Sequence, residues 1–224
     1  MGRLHLFGAF KMAKPLYAIL LDGGFLTKKL YKSSSTPGAP GTHATAADIL
    51  VECTRLQALP HLADYELLRI YYYDAFPSAA RLQNPVSKTA LNLAATPRYR
   101  QAQSLYDQLV LMPHFALRMG TVNLSPAKWK LKPRVAKALV TLPRPLTDDD
   151  FQLDLSQKGV DMRVGMDMAR LALRELVRTI VVVTGDSDFV PAFKFVRREG
   201  VKVILEPMGH NVSPDLRHHA DIVL

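Results

Sequence analysis

Cysteine is almost absent from this chain of 224 residues, where Cys53 stands alone. One thiol cannot make an intrachain disulfide, a zinc ribbon or a dithiol relay, and a reducing, cytoplasmic location is the simplest fit. Long apolar runs are missing as well. Nothing approaches the roughly 18 residues needed to cross a bilayer, and LHLFGAF (Leu4 to Phe10) is short even for the apolar centre of a signal peptide; no membrane partner is expected. No GxxxxGK[ST] stretch is present to cradle phosphates and no GxGxxG follows the first apolar run, which argues against an ordinary nucleoside-triphosphate or dinucleotide site. The G-x-S-x-G nucleophile turn is missing too. Acidic charge is scarce: 20 Asp and Glu face 29 Lys and Arg, for a formal charge of +9. Such a surface attracts polyanions, nucleic acid or anionic lipid, at long range, or merely aids solubility.

What is present reads as one globular unit, because 48% hydrophobic residues over this length build one substantial core. Met12 opens MAKPLYAILLD, so residues 1–11 are expected to be an upstream extension of a start at Met12, and residues 1–15 are set apart from a single domain expected over 16–224. LYAILLD (Leu16 to Asp22) is continuously apolar, as a strand covered on both faces should be. Ser33 to Thr45, rich in Pro, Gly and Ser, is expected to be a mobile loop. Thr45 is a candidate N-cap for the helical spacing of AADILVECTRLQAL. A strand is expected over Glu66 to Phe76, a loop-rich insertion over 77–97, a helix over Tyr99 to Met112 and a strand over Phe115 to Leu124. From Ser125 to Leu146 the composition shifts: Lys128, Lys130, Lys132, Arg134, Lys137 and Arg144 are uninterrupted by acids, four prolines break regular structure, and Trp129 lies between two lysines. This is either a solvated arm or one that tracks a strand of nucleic acid, with Trp129 stacking on a base. The last third alternates strands (DFQLDLSQK, TIVVVTG, VKVILEP, DIVL) with helices. Alternation of this kind implies parallel strands with right-handed crossovers, hence a three-layer α/β/α sandwich with a mainly parallel central sheet.

In that architecture ligands gather at the carboxyl ends of strands. Asp22 ends the first strand, ahead of Gly23 and Gly24. Asp186 and Asp188 follow the strand Thr179 to Val183. Asp161 opens a helix, and helix N-termini point at the same edge. Asp167 lies about 9 Å further along that helix and is a weaker member. Any one of these could be a helix cap, or, for Asp161, a salt-bridge partner of Lys158. Four convergent carboxylates without a counterion are costly, however, and an all-oxygen set selects Mg²⁺ or Mn²⁺ over zinc. Thr184 and Ser187 offer hydroxyl support. The adjacent His218 and His219 are poorly placed to share a metal and read as surface or packing residues.

LLDGGF, KGVDMRVGMD, TGDSDFVPAFKFVRREGVKVIL and SPDLRHHADIVL together resemble the NYN domain, the branch of PIN-like ribonucleases that includes the LabA-like proteins. The resemblance spans both ends of 16–224 and leaves the middle unmatched. It implies a PIN-like, Rossmann-like fold and a Mg²⁺ or Mn²⁺ site of Asp22, Asp161, Asp186 and Asp188. Many members carry Asn shortly after the first Asp, whereas this chain has Phe25, which bears on a polar contact near the metal and not on the metal itself. The reading that follows is a metal-dependent ribonuclease in which the ions activate water for in-line attack on a phosphodiester, leaving a 5′-phosphate. Lys158 would stabilise charge in the transition state. Lys28, Lys29, Lys194, Arg197, Arg198 and the 125–146 arm would guide the strand in. Single-stranded RNA is favoured because an acid-lined pocket must reach the scissile bond directly; DNA and a homo-oligomer stay open. The alternatives are a non-catalytic regulator that has kept the fold and, third, a small-molecule phosphohydrolase, whose two aspartates flanking one residue after the first strand are missing here.

Overall fold

The computed structural model describes residues 13–33 and 41–224. Most of the 1–15 extension and the centre of the 33–45 loop lie outside the described residues. The last residues of the extension are already tied to the domain: Lys14 Nζ donates to Ala63 O at 2.9 Å, and Pro15 O accepts from Glu66 N at 3.0 Å.

In chain order the elements are β1 (Leu16–Asp22), α1 (Gly23–Leu30), α2 (Ala46–Gln57), β2 (Glu66–Ala75), β3 (Arg81–Gln83), β4 (Ala90–Asn92), α3 (Pro97–Leu109), β5 (Phe115–Leu131), α4 (Pro133–Thr141), β6 (Phe151–Lys158), α5 (Val160–Leu173), β7 (Thr179–Val183), α6 (Val190–Arg198), β8 (Lys202–Glu206), α7 (Pro214–His218) and β9 (Ile222–Val223). Seven strands form one sheet in the order β6-β5-β2-β1-β7-β8-β9. All of its pairings are parallel except that of β6 with β5. Short β3 and β4 make a separate antiparallel ribbon within the 77–97 insertion.

The period of two along each strand sends alternate side chains to opposite layers. Ala18, Leu20, Tyr71, Tyr73, Ile180 and Val182 pack under α5, α6 and α7, meeting Met168, Phe193 and Leu216. Tyr17, Ile19, Leu21, Tyr72, Val181 and Val183 face the other way, onto Leu26 of α1, Ile49 and Leu56 of α2 and Leu109 of α3. Cys53 belongs to this second layer, where burial pushes its thiol up to about 12; it is an inert core residue. The three-layer α/β/α sandwich with a mainly parallel sheet is therefore present. Thr45 caps α2 in a complete capping box with Asp48. Among the described residues no helix is long and apolar enough to cross a membrane.

Two departures from the expected elements matter for the site. The strand expected to stop at Leu124 runs on to Leu131, because Pro126 falls in an irregularity of the β5–β6 pairing between Leu124 and Trp129 and costs no ladder hydrogen bond. Pro133 likewise starts a helix instead of breaking one, sitting in the first turn of α4 where a missing N–H is harmless. The basic arm is thus a two-stranded ribbon topped by a helix. β5 passes the carboxyl end of β2 at Gly120, opposite Ala75. From there it rises about 23 Å, the length of its partner strand β6 at 3.3 Å per residue, since the irregularity between Leu124 and Trp129 takes up extra residues of β5.

Candidate metal centre and nucleic-acid interface

Parallel strands end at one rim, and that rim collects the acids. Asp22 is the last residue of β1, and the turn carrying Asp186 and Asp188 follows β7, which pairs directly with β1. β6 descends from the arm and reaches rim level at Lys158, opposite Thr121. Gly159 then turns the chain at φ 76°, a left-handed conformation that a Cβ disfavours, and α5 starts at the rim with Asp161 in its first turn. Gly120, beneath this turn, has no room for a side chain: a Cβ would lie 2.7 Å from Lys158 O and from Val160 Cγ2.

The carboxylates at this rim repel one another. Asp22 is raised above the usual carboxylate range chiefly by burial, opposed by hydrogen bonds from Phe25 and Thr184, with Asp186 and Asp74 adding repulsion. Asp161 is raised by desolvation and then by Asp186 and Asp188. None of these four acids is in an ion pair among the described residues. The acids at the flanks of the rim differ. Asp167 accepts from Arg118 Nε at 2.9 Å and from Tyr73 Oη at 3.0 Å, so it is engaged away from the group. Glu206, at the end of β8, shares Arg55 with Glu52 and accepts from Met208 N.

Two of the central acids also cap. Asp22 Oδ1 accepts from Phe25 N at 3.0 Å, at the start of α1, and Oδ2 accepts from the Thr184 hydroxyl at 3.0 Å. Asp186 Oδ1 accepts from Asp188 N at 2.9 Å. Capping and ligation are compatible, since an ionised carboxylate offers about four lone-pair directions. Thr184 is fully buried and joins the two segments, donating to Asp22 while accepting from Asp186 N at 3.1 Å. Ser187 is exposed and its hydroxyl makes no hydrogen bond within the described residues. Lys158 is exposed at the rim with no ion-pair partner among them. Phe25 lies edge-on to His210, ring centroids 5.8 Å apart. Both rings close on Gly185, where a Cβ would meet each at 2.7 Å.

The donor set fits a hard divalent cation in chemistry, being all oxygen, uncompensated and mutually repelling. It is not closed around one point: among the described residues, no group of three or more His, Cys, Asp or Glu side chains stands close enough to hold a metal ion.

A further acid at the rim was not anticipated. Asp74, next to last in β2, neighbours the Asp22–Tyr73 register pair. It is raised by burial, against hydrogen bonds that begin with Ala75 N at 2.7 Å, and it repels Asp22. Tyr72 Oη and Gln157 Nε2 each approach it at 3.3 Å. The only sequence signal is a carboxylate near the end of an apolar run, YYYDAF.

The expected nucleic-acid contacts divide. On the arm, Lys130 is paired with Asp154 at 2.8 Å, Lys132 Nζ donates to Asp149 O at 2.5 Å, and Arg144 forks onto Asp150, holding that carboxyl well below its usual range. Trp129 donates its indole N–H to Gln83 O at 3.0 Å. Lys128, Arg134 and Lys137 are exposed and have no ion-pair partner among the described residues. Lys28 and Lys29 close the last turn of α1, with Lys29 5.6 Å over the Phe25 ring. Lys194, Arg197 and Arg198 were expected to guide a strand toward the acids. Their helix, α6, runs antiparallel to the strands and carries Arg197 about 14 Å from Asp188 at 1.5 Å per residue; they face the opposite edge of the sheet.

A doubly covered, mainly parallel sheet defines a three-layer α/β protein of the Rossmann-like kind, whose acids lie at its carboxyl rim. Residues 130–224, under half of the chain, match the model of the NYN domain, a PIN-like family that is nuclease-like and typically metal-dependent. The matched stretch contains Asp161, Asp186 and Asp188 and excludes Asp22. Among curated proteins, an uncharacterized protein of Methanocaldococcus jannaschii, MJ0482, is 32% identical over 74 residues, covering 33% of this chain and 31% of that protein. The chain thus matches about a third of that relative's length. Among solved structures, a protein of unknown function from Vibrio parahaemolyticus, VPA0982, aligns with TM-score 0.49 and 15% identity over 96% of this chain and 94% of its own.

Proposed function

We propose that the protein is a metal-dependent nuclease that hydrolyses phosphodiester bonds, with single-stranded RNA as substrate. The observation that supports the proposal is that Asp22, Asp161, Asp186 and Asp188, from three separate segments, all lie at the carboxyl rim with no cation among the described residues to neutralise them, although they are not drawn close enough to enclose an ion. These residues would hold Mg²⁺ or Mn²⁺, which when bound supplies an activated water and stabilises charge on the leaving oxygen. The chain's own contribution is placement. Thr184 fixes the Asp22 and Asp186 segments relative to one another, and Gly159 lets α5 deliver Asp161 to the rim. Lys158 is free to meet a phosphate oxygen. The arm rises from the same rim and gives an unpaired strand a wall, with Lys128, Arg134 and Lys137 available for its phosphates and Trp129, half-exposed, for a base.

A second reading, a regulator that binds RNA without cutting it, draws support from the separation of the acids. Purified protein incubated with labelled single-stranded RNA, single-stranded DNA and a chromogenic phosphate ester, with Mn²⁺ or with EDTA, decides between them. Metal-dependent RNA cutting that disappears in Asp186→Asn is the expected result. Metal binding with no turnover on any of the three substrates would favour the regulator.

A further inference from the structure

The amino edge of the sheet holds a cleft of about 560 Å³ lined by Lys194, Arg197, Arg198, Lys202, His219 and Asp221, with backbone at Gly200 and Val201. Three elements build it. α6 delivers Lys194, Arg197 and Arg198 at its C-terminal half, the turn at Gly200 (φ 81°) reverses the chain, and β8 starts with Lys202. The segment between α7 and β9 closes the far side with His219 and Asp221.

The ordinary account of bases here is the helix dipole, since cations favour helix C-termini. It covers Arg197 and Arg198, in the last turn of α6, and leaves out Lys202 at a strand start and Lys194 further back. Pairing does not remove the surplus. Asp221 is the one carboxylate lining the cleft; it accepts from Arg197 Nε at 3.0 Å and from Val203 N at 2.8 Å, which fixes the Arg197 guanidinium in the wall. Lys194, Arg198 and Lys202 have no ion-pair partner among the described residues. Crowding is felt by His219, held below its ordinary value by desolvation and then by Lys194, against the pull of Asp215. The cleft therefore concentrates positive charge in a concave place, with one guanidinium already oriented.

We propose that this cleft is a phosphate-binding site, separate from the acid rim, which takes the backbone of a nucleic-acid strand outside its scissile segment. A strand crossing the outer face of α6 would connect the two edges over the about 14 Å that the helix spans. The same chemistry would accept a free phosphate or a small phosphate ester, so the test must tell these sources apart. The site rests on charge and shape at the amino edge and does not require that the rim be catalytic.

The test compares wild type with the triple variant Lys194→Ala, Arg198→Ala, Lys202→Ala. Arg197 is left in place because its pair with Asp221 braces the fold, and unchanged melting temperature checks that the variant is folded. Labelled single-stranded RNA is titrated in EDTA, where metal-dependent cutting cannot occur, over a range of salt. Loss of three phosphate contacts should lower the slope of log affinity against log salt by about 2, at ~0.7 per contact on a single strand, with about tenfold weaker binding at low salt. In parallel, inorganic phosphate is titrated while the His219 imidazole resonance is followed by NMR. If the triple variant binds RNA as wild type does but phosphate moves His219 only in wild type, the occupant is a small phosphate. Unchanged RNA binding together with no phosphate response overturns the site. Asp186→Asn, run both in this EDTA binding assay and in the Mn²⁺ cleavage assay, separates the two readings, since it should abolish cutting in the second and leave binding in the first intact.

Discussion

The two edges of one sheet carry opposite charge. At the carboxyl edge Asp22, Asp74, Asp161, Asp186 and Asp188 are without ion-pair partners among the described residues, while at the amino edge Lys194, Arg198 and Lys202 are equally unmatched. Parallel topology explains part of this. Helices α3, α5 and α6 start at the carboxyl edge and end at the amino edge, so acids fall at positive helix ends and bases at negative ones. The rest is not sorting by dipole. The flanks of the carboxyl edge show what a merely structural acid looks like here: Glu52 and Glu206 share Arg55, and Asp167 has Arg118 and Tyr73. Acids that the fold needs are given bases, and those in the middle are not.

Asp186→Asn probes the unpaired centre most severely. Cleavage rates under Mn²⁺ should fall by well over the roughly 10- to 100-fold that accompanies loss of a supporting partner in a metal site. Arg55→Met attacks the paired flank instead. It removes the half-exposed guanidinium that two largely buried carboxylates share and should cost about 1–2 kcal/mol in urea unfolding, less than breaking a fully buried pair. A change under ~0.5 kcal/mol would mean that the contrast between flank and centre has no energetic meaning. Next comes Gly159→Ala, which forces a Cβ into the left-handed region against Arg163. Stability should drop by about 1–2 kcal/mol, with cleavage falling further than stability because Asp161 is displaced.

The smallest effect is the most diagnostic. Asp22, Asp74 and Asp161 have raised pKa values in the folded state, so the stabilisation their neutral forms provide is complete below the unfolded carboxylate value and is lost as pH rises through the raised ones. In EDTA near neutral pH, Asp161→Asn should therefore melt higher than wild type, by about 1–3 °C, and the gap should close as pH falls into the ordinary carboxylate range. Millimolar Mg²⁺ should raise wild type and leave the variant behind, reversing the order. A variant that melts lower in EDTA would show that Asp161 is a structural acid after all.

Much of this was legible in the sequence. LYAILLD and TIVVVTG read as buried parallel strands because unbroken apolar runs need cover on both faces, and Thr45 announced a helix that does begin one residue later. Asp22, Asp161, Asp186 and Asp188 could be referred to one edge from topology alone. Asp74 could not, since its membership depends on the β1–β2 register, which no local pattern encodes. Pro126 and Pro133 looked like breakers because a proline's tolerance depends on whether its missing N–H had a partner to lose. Lys194 and Arg197 stand near Asp188 in sequence, but α6 carries them toward the amino edge, a separation that sequence nearness hides.

The order of strands in the sheet bears on how the chain can be divided. β1 and β2 come early in the sequence yet lie in the middle of the sheet, between β5 and β7. A fragment holding only residues 130–224 would retain the stretch that matches the family but would expose a raw edge on β7, where β1 belongs. Such an edge is a template for another chain, so the fragment should aggregate where the whole protein does not. Supplying residues 13–129 in trans should rescue it, as the missing middle inserts and restores the sheet.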